Sequence, residues 1–419
     1  MRRLLLPLAA FFAGFLPNCV QPGGALTDQP YGEPPAGARW WKGNTHTHTL
    51  WSDGDGAPEL VVDGYRERGY DFLVLSDHNV FLDHEKWFPV KAGTRLTEAR
   101  VAALRERFGA DAVELREGTG GPEMRLKRLD ELKERFERPG AFLLIPGEEV
   151  TDSAQDRPVH INGLNLAGLV RPRGGATVAE AAQANLDAIA AHGREHGRTV
   201  LGHVNHPNFG WGFTVDDLAG LRGEHFFEVY NGHRGVRNHG DAEHPSTEAM
   251  WDRANARRQA ELGLPPLFGL ATDDAHEYHA NGTSVPGRGW LHVRTAELSP
   301  EAIVAALRAG EFYASSGVGL SDVRADRRGL TVDIAAEEGL TYTTRFVGSR
   351  RHTDGRLEVG AVLAETTADP ARYDFRGDEL SVRAVVVSSR QHPNPYAEGD
   401  HETAWTQPVV PPAAQSWSR

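Results

Sequence analysis

Histidines and carboxylates recur at one kind of place along this chain. In Lys42-Gly-Asn-Thr-His-Thr-His-Thr-Leu-Trp-Ser-Asp53, two histidines alternate and a carboxylate follows. In an extended backbone, residues i and i+2 project to the same side. His46 and His48 therefore converge on one point while Thr47 faces away. Neutral imidazoles and carboxylates are the donors that hold zinc and similar transition metals. Taken alone, a single His-x-His is a weak sign of a metal site. Its weight comes from what ends the later apolar runs.

Those runs are short and do not alternate. Phe72-Leu-Val-Leu75 leads into Ser76-Asp-His78, and Phe142-Leu-Leu-Ile145 into Pro146-Gly-Glu-Glu149. Thr199-Val-Leu201 leads into Gly202-His-Val-Asn-His206, and Phe226-Phe-Glu-Val-Tyr230 into Asn231-Gly-His233. Leu267-Phe-Gly-Leu-Ala271 leads into Thr272-Asp-Asp274-Ala-His276. Runs of this texture suit strands buried on both faces, as in parallel sheets. The carboxyl ends of such strands carry the active site in α/β barrels. Nineteen histidines scattered at random would not fall repeatedly at that one topological position.

A chain of 419 residues is long enough for two or three domains with real cores. Its formal net charge is −13, and it has no long basic run, so a surface that tracks nucleic-acid phosphates is not expected. At the N-terminus, Arg2 and Arg3 precede an apolar segment from Leu4 to Leu16 that is too short to span a bilayer comfortably. This reads as an export signal over residues 1–25, cleaved after the small residues Gly23, Gly24 and Ala25, for a periplasmic or secreted protein. The competing reading makes Cys19 a lipidated terminus that ties the protein to a membrane, although Asn18 before it fits lipoprotein processing poorly. With one cysteine, no disulfide forms within the chain. Stability then rests on core packing and bound metal.

Residues 26–38 read as a Pro- and Gly-rich linker, and Trp40-Trp41 opens the first strand. A βα rhythm runs over 39–318. Pro58 opens a helix that Gly69 stops, and Ser299-Pro300-Glu301 opens another that Gly310 ends. Thr177 to His196 and Thr247 to Leu262 also carry helical spacing. Residues 83–139 interrupt the rhythm as a charged helical insertion, with Val101, Leu104 and Phe108 on one face and Leu126, Leu129, Leu132 and Phe136 on another. It is expected to pack on the barrel rim or to serve as a lid over the site. Over 319–412 the pattern changes to period-two alternation, in Leu330–Ile334, Tyr342–Phe346, Leu380–Val387 and Ala404–Val409, as in a small antiparallel β-sandwich. His392 and His401 fall there in a polar stretch expected to be solvated.

The set His-x-His-x4-Asp, Ser-Asp-His, Pro-Gly-x-Glu, a mid-chain His, His-Pro and Asp-x-His resembles the PHP (polymerase and histidinol phosphatase) superfamily over about residues 38–318. Lys42-Gly-Asn-Thr-His, Gly147-Glu-Glu149-Val-Thr, His160-Ile-Asn, Asn205-His-Pro-Asn208 and Glu228-Val-Tyr-Asn231 are similar to its CehA/McbA branch of metallohydrolases. The resemblance implies an α/β fold, a distorted (β/α)7 barrel holding two or three divalent transition metals such as zinc, manganese or iron. It places His46, His48, Glu149 and Asp274 on a first metal, with Glu149 bridging to a second held by His160 and His206. It places Asp53, His78 and His276 on a third, with Asp53 standing where some relatives have histidine. The motif register favours Glu149 over Glu148 and His206 over His203. Asp77 is expected to orient a ligand imidazole, and Asp273 to do the same or to cap a helix. Glu228 and Asn231 are expected to line the pocket or to make structural hydrogen bonds. Lys42 and His233 are candidates for substrate contact or proton transfer. His192, His196, His225, His239, His244 and His292 are expected at the surface or in packing.

Clustered metals lower the pKa of a bridging water and supply hydroxide near neutral pH. A serine or cysteine nucleophile is then unnecessary, and no Gly-x-Ser-x-Gly elbow is present. The expected reaction is hydrolysis of a small-molecule ester. Phosphoester is the superfamily default, and carboxylic or carbamic ester the branch alternative. A non-catalytic metal-bound ligand- or surface-binding protein is a further reading. An exonuclease linked to a polymerase is disfavoured by the export signal and the acidic balance.

Overall fold

The computed structural model describes residues 30–223, 226–279, 282–412 and 414. The expected signal segment and Cys19 lie outside the described residues. The first strand, β1 (Arg39–Asn44), runs parallel to β2 (Phe72–Leu75), with helix α1 (Pro58–Glu67) between them. Pro58 occupies the first turn of α1, where its missing N–H costs nothing, and Gly69 beyond the end has a positive φ of 72°.

The insertion is not purely helical. Its strands β3 (Trp87–Pro89), β4 (Leu115–Gly118) and β5 (Gly121–Arg125) form a small antiparallel sheet in the order β3-β5-β4. Helices α2 (Glu98–Phe108) and α3 (Leu129–Phe136) accompany it. Strand β3 is only Trp-Phe-Pro and the other two carry Gly, Pro and charged residues around a single Leu or Met, so no apolar alternation gives a strand signal. Val101, Leu104, Leu126, Leu132 and Phe136 pack into one core with Trp51, Val61, Val62, Leu73 and Leu75. The insertion is thus built onto α1, the outer side of β2 and the loop after β1.

The main sheet continues through β6 (Leu143–Ala154), β7 (Arg157–Leu164), β8 (Leu201–Val204), β9 (Phe226–Asn231) and β10 (Phe268–Thr272). The apolar run at 142–145 is only the start of β6, which is 12 residues long and forms an antiparallel hairpin with β7. Strand series β1-β2-β6 and β8-β9-β10 are parallel internally, and β7 joins them antiparallel to both neighbours. Helix α4 (Val178–His196) follows β7, capped by Thr177 and Glu180 in a reciprocal box. Helices α5 (Val215–Gly220) and α6 (Thr247–Arg257) follow β8 and β9. The helical pattern read to Leu262 ends α6 at Arg257 and passes into a wider π turn, Arg258–Leu262.

On its other side β1 pairs antiparallel with β11 (Trp290–Thr295), and β11 with β12 (Phe312–Ser315). Helix α7 (Pro300–Arg308) lies between them, capped by Ser299. The remaining strands are β13 (Leu320–Ala325), β14 (Gly329–Ile334), β15 (Tyr342–Arg351), β16 (Leu357–Thr366), β17 (Ala371–Asp374), β18 (Glu379–Gln391) and β19 (His401–Thr406). The alternation at 319–412 reads as a separate sandwich, but four of these strands extend the main sheet. Its 13-strand order is β10-β9-β8-β7-β6-β2-β1-β11-β12-β19-β18-β15-β16. The other three form a sheet β13-β14-β17, and both sheets contribute to one core containing Val323, Val332, Tyr373, Phe346, Val386 and Ala404. His392 is buried at 5% exposure, not solvated.

The linker reading also needs correction at Tyr31. This side chain is fully buried; its hydroxyl donates to the Phe312 carbonyl at 2.5 Å and accepts from the Gln407 amide at 2.7 Å. No helix among the described residues is long and apolar enough to cross a membrane.

The C-terminal strands are tied to α6 by a buried ion pair. Arg383 on β18, 4% exposed, donates to both Asp252 carboxylate oxygens at 3.0 Å and to Glu248 at 3.1 Å. Removing one partner strands the other charge in a poorly solvated place. Arg383→Ala is expected to destabilise the fold by about 3 kcal/mol, measured by denaturant unfolding at pH 7.

Candidate metal centre

The residues that follow β1 turn back across the sheet and meet those that follow β10. The His48 amide donates to the Ala275 carbonyl at 3.0 Å, the Asp274 amide donates to the His46 carbonyl at 3.1 Å, and Thr47 bridges to Ala275 in parallel fashion. This contact joins the two ends of the parallel strand series and brings His46, His48, Asp274 and His276 to one place. Asp274 holds a positive φ of 47° and His206 one of 21°. Non-glycine residues in that region cluster where function dictates the backbone.

Glu149 stands at the middle of the cluster, fully buried on β6. In the hairpin, His160 lies opposite Thr151, so it shares the Glu149 face two residues along. His78 pairs alongside Glu149 through an isolated parallel bridge. Neither Glu149 nor His160 therefore sits at the carboxyl end of a parallel strand. The longer β6 and its antiparallel partner carry them into the site.

The donor atoms fall into overlapping groups. His46 Nε2 and His48 Nε2 are 3.1 Å apart. Glu149 Oε2 lies 3.4 Å from the first and 3.3 Å from the second, and Asp274 Oδ1 lies 3.3 and 3.2 Å from them. Glu149 Oε2 and Asp274 Oδ1 are both buried without a hydrogen-bond partner. An ion with four bonds of about 2.0–2.1 Å in tetrahedral array needs its donors roughly 3.3 Å apart. The two nitrogens lie at about that distance from each other and from each of the two oxygens.

A second group gathers on the other oxygen of Glu149. His160 Nδ1 is 2.9 Å from Oε1 but is not in hydrogen-bond geometry, and His206 Nε2 is 3.4 Å away. The third group is outermost: Asp53 lies 3.5 Å from His78 Nε2 and 3.3 Å from His276 Nε2. All nine side chains named from the motifs are thus brought together.

Electrostatics follow from this crowding. Burial opposes ionisation of Glu149, yet His78, His46 and His160 hold its carboxyl well below the usual range. Burial also opposes protonation of His46, but Asp274, Glu228 and Glu149 raise it well above an ordinary imidazole. Burial and the neighbouring His276 push His48 down to about 3. His78, despite burial, is raised to about 11 by Glu149 and Asp53. In the protein alone, protons on imidazoles offset the buried carboxylates.

Asp77 and Asp273 have different jobs from those expected, while Glu228 and Asn231 make hydrogen bonds. Asp77 touches no ligand imidazole; its carboxylate accepts from the Thr49 and Ser52 amides and both hydroxyls, which pins the turn before Asp53. Asp273 neither orients an imidazole nor caps a helix. It accepts from Asn44, Tyr65 and Tyr70 side chains and from the Arg288 and Gly289 amides. Glu228 is the residue that orients a ligand histidine, pairing with His46 Nδ1 at 2.7 Å while accepting from the His206 amide at 2.7 Å. Such a partner fixes which ring nitrogen is free for a metal. Asn231 donates to Glu228 and Asp274. Asn205, which carried no assigned role in the sequence reading, donates to Glu149 Oε1 at 2.8 Å; its place in the Asn205-His-Pro-Asn208 motif was the available signal.

Lys42 is not in the site. Its ammonium sits over the Tyr70 and Trp290 rings, 4.2 and 4.1 Å from their centroids, because its position on β1 points it away from the cluster. His233 does face the site: it lies edge-on to His276 and lines a cavity of about 730 Å³ with Asp53, Phe88, Arg95 and Arg100. His203 is fully buried behind His46 and has no ring-nitrogen partner, whereas His206 reaches Glu149. Away from the centre, His192 accepts from the Ala167 amide, His239 pairs with Asp400, His244 stacks on Trp211 and His292 stacks on Tyr313. His225 lies outside the described residues.

Two solved structures are similar to this chain at low identity. One is a two-domain protein from Bacteroides vulgatus containing a domain assigned, by prediction, as a PHP-like metal-dependent phosphoesterase. It is 16% identical, with 92% of this chain and 100% of that chain covered at a TM-score of 0.40. The other, from Bifidobacterium adolescentis, is assigned provisionally as a metal-dependent phosphoesterase. It is 16% identical, with 66% of this chain and 96% of that chain covered at a TM-score of 0.30. No family model and no curated protein matches the chain. At such scores the functional reading rests on the site itself.

Glu148 points away from the cluster, accepting from the Val170 amide, and burial raises its carboxyl to about 8. A carboxyl raised on folding binds more protons in the native state, so its stabilisation is complete below the ordinary 4.5 and is lost as pH rises toward 8. Glu148→Gln is expected to flatten that loss. Denaturant midpoints at pH 5 and pH 8 should fall closer together in the variant than in the parent chain.

Proposed function

We propose that this protein is a metal-dependent hydrolase acting on phosphoesters. The observation that carries the reading is the pair of buried, unpartnered oxygens, Glu149 Oε2 and Asp274 Oδ1, facing two imidazole nitrogens at metal-donor spacing. In the protein alone imidazole protons offset these buried anions, and a cation bound at that point would take over that role. His46, His48, Glu149 and Asp274 would hold the first ion, Glu149 with His160 and His206 the second, and Asp53, His78 and His276 the third. Two or three divalent ions, zinc, manganese or iron, suit this mixed donor set. Bound there, such ions acidify coordinated water and offset charge developing on the ester.

The chain's own residues do the rest. Glu228 keeps the His46 ring turned with Nε2 inward. Asn205 and Asn231 hold the carboxylates of Glu149 and Asp274 by donating to them. His233, beside His276 at the cavity wall, is placed to exchange a proton with a leaving group, and burial lowers its basicity. Arg95 and Arg100 line the same cavity, together with Asp53, Asp55 and Glu277. We read the surrounding 39–318 region as a distorted (β/α)7 barrel closed through Thr47 and Ala275, and the Arg2-Arg3 and Leu4–Leu16 segment as an export signal.

The test is metal analysis by emission spectrometry together with turnover on a panel of phosphate monoesters, phosphodiesters, carboxyl esters and carbamates. Glu149→Gln is expected to lower metal content and to reduce turnover by orders of magnitude, and His48→Ala to abolish turnover. Glu148→Gln and His192→Ala should leave both nearly unchanged. Turnover of carbamates or carboxyl esters alone would replace the phosphoester reading, and a metal-free, inactive protein after metal-supplemented expression would overturn it.

A further inference from the structure

Asp53 is the most exposed of the nine clustered residues, with 54% of its side chain open to solvent. Its own side chain is held only by the imidazoles and, at 3.3 Å, by the Ser52 hydroxyl. Asp77 pins the turn before Asp53, and the Asp55 amide after it donates to the His276 carbonyl at 2.7 Å. The insertion adds a third hold, on the carbonyls that flank Asp53. One guanidinium nitrogen of Arg95, Nη1, donates to the Ser52 carbonyl at 2.7 Å and to the Gly54 carbonyl at 2.9 Å, the residues on either side of Asp53. The guanidinium is itself laid over the Phe88 ring, 5.2 Å from its centroid.

Neighbouring insertion residues reinforce this grip. Lys86 donates to the Trp51 carbonyl, and the Trp51 indole donates to the Lys127 carbonyl at 2.9 Å. Arg100 pairs with Asp55 at 3.2 Å. On the inner side Gly54 lies against the His48 backbone so closely that a Cβ there would come within 2.6 Å of it. The loop is therefore pressed between a metal-ligand segment and the insertion.

We propose that Arg95 is a positioning residue for the outermost metal group, and that the 83–139 insertion serves to hold Asp53 at its ligating position. This rests on the metal-centre reading above. The inner groups, carried by buried strands and by residues bonded to β10, do not depend on the insertion. Lysine cannot replace the arginine fully, since an ammonium lacks the flat guanidinium that stacks on Phe88 while bracketing two carbonyls.

The experiment is zinc and manganese titration of the full chain with chelator competition, comparing the parent, Arg95→Ala, Arg95→Lys, Asp53→Asn and Arg116→Ala. Arg116 lies elsewhere on the insertion, paired with Glu123. Arg95→Ala is expected to weaken the last-bound ion about 10–100-fold, the range for loss of an outer partner of a metal ligand. Asp53→Asn, which alters the ligand itself, is expected to weaken it at least as much, both leaving the tighter ions in place. Arg95→Lys should show a smaller loss, and it carries the test should Arg95→Ala not fold. Arg116→Ala should bind like the parent. A last-bound ion weakened by Asp53→Asn but untouched by either Arg95 variant would overturn the proposal alone. An ion count unaffected by Asp53→Asn would overturn the third group and the proposal with it. A parent chain that binds no metal would overturn the metal-centre reading itself.

Discussion

The arrangement turns on one buried anion. Glu149 sits in the interior with no solvent exposure, and its two oxygens face different sets of imidazoles. A carboxylate in that position is tolerable only while positive charge surrounds it on both sides. Every nearby element answers to that demand. The chain after β1 brings His46 and His48 against one oxygen, where His78 after β2 also lies at 2.9 Å, and the β6–β7 hairpin brings His160 against the other. Glu228 then turns His46 so that its outward nitrogen is satisfied and its inward one stays available. The same demand explains why imidazoles in one cluster are pushed in opposite directions, His78 up to about 11 and His48 down to about 3. There is not room for every ring to carry a proton.

Much of this was legible in the residue order. His46 and His48 share a side because an extended segment alternates, and His78, His206, Asp274 and His276 follow strands that apolar runs mark well. Glu149 was legible as a residue following the apolar run at 142–145. Its choice over Glu148 and the place of His160 were legible only through motif resemblance, since nothing in a run that stops at Ile145 indicates a strand continuing to Ala154. Lys42 misled because it adjoins the His-x-His segment in sequence, whereas the pleat of β1 sends its side chain to the aromatic pair Tyr70 and Trp290. The roles of Asp77 and Asp273 depend on which backbone amides approach them in space, and sequence distance does not report that. Burial of His392 likewise depends on long-range packing.

The insertion shows the same division. Its apolar faces were visible as helical spacing, and they do form a core with α1. Its sheet was hidden by short strands without apolar alternation, and its contact with Asp53 by the separation between Arg95 and the Ser52–Gly54 backbone. Local pattern reports which faces must be buried; it does not report which partner buries them.

The position of β19 bears on how the chain reaches this state. It fills the place between β12 and β18, so the sheet has a gap in its middle until residues near 406 become available. Tyr31 meets Phe312 and Gln407 at the same seam, which couples residues far apart in order of synthesis. Contacts of such long separation form slowly, and the unpaired edge of β12 is meanwhile open to other strands. A shortened chain ending near residue 318 would keep all nine clustered side chains and yet leave that edge bare. Cover for that edge is in this sense supplied by a distant strand that contributes none of the clustered side chains.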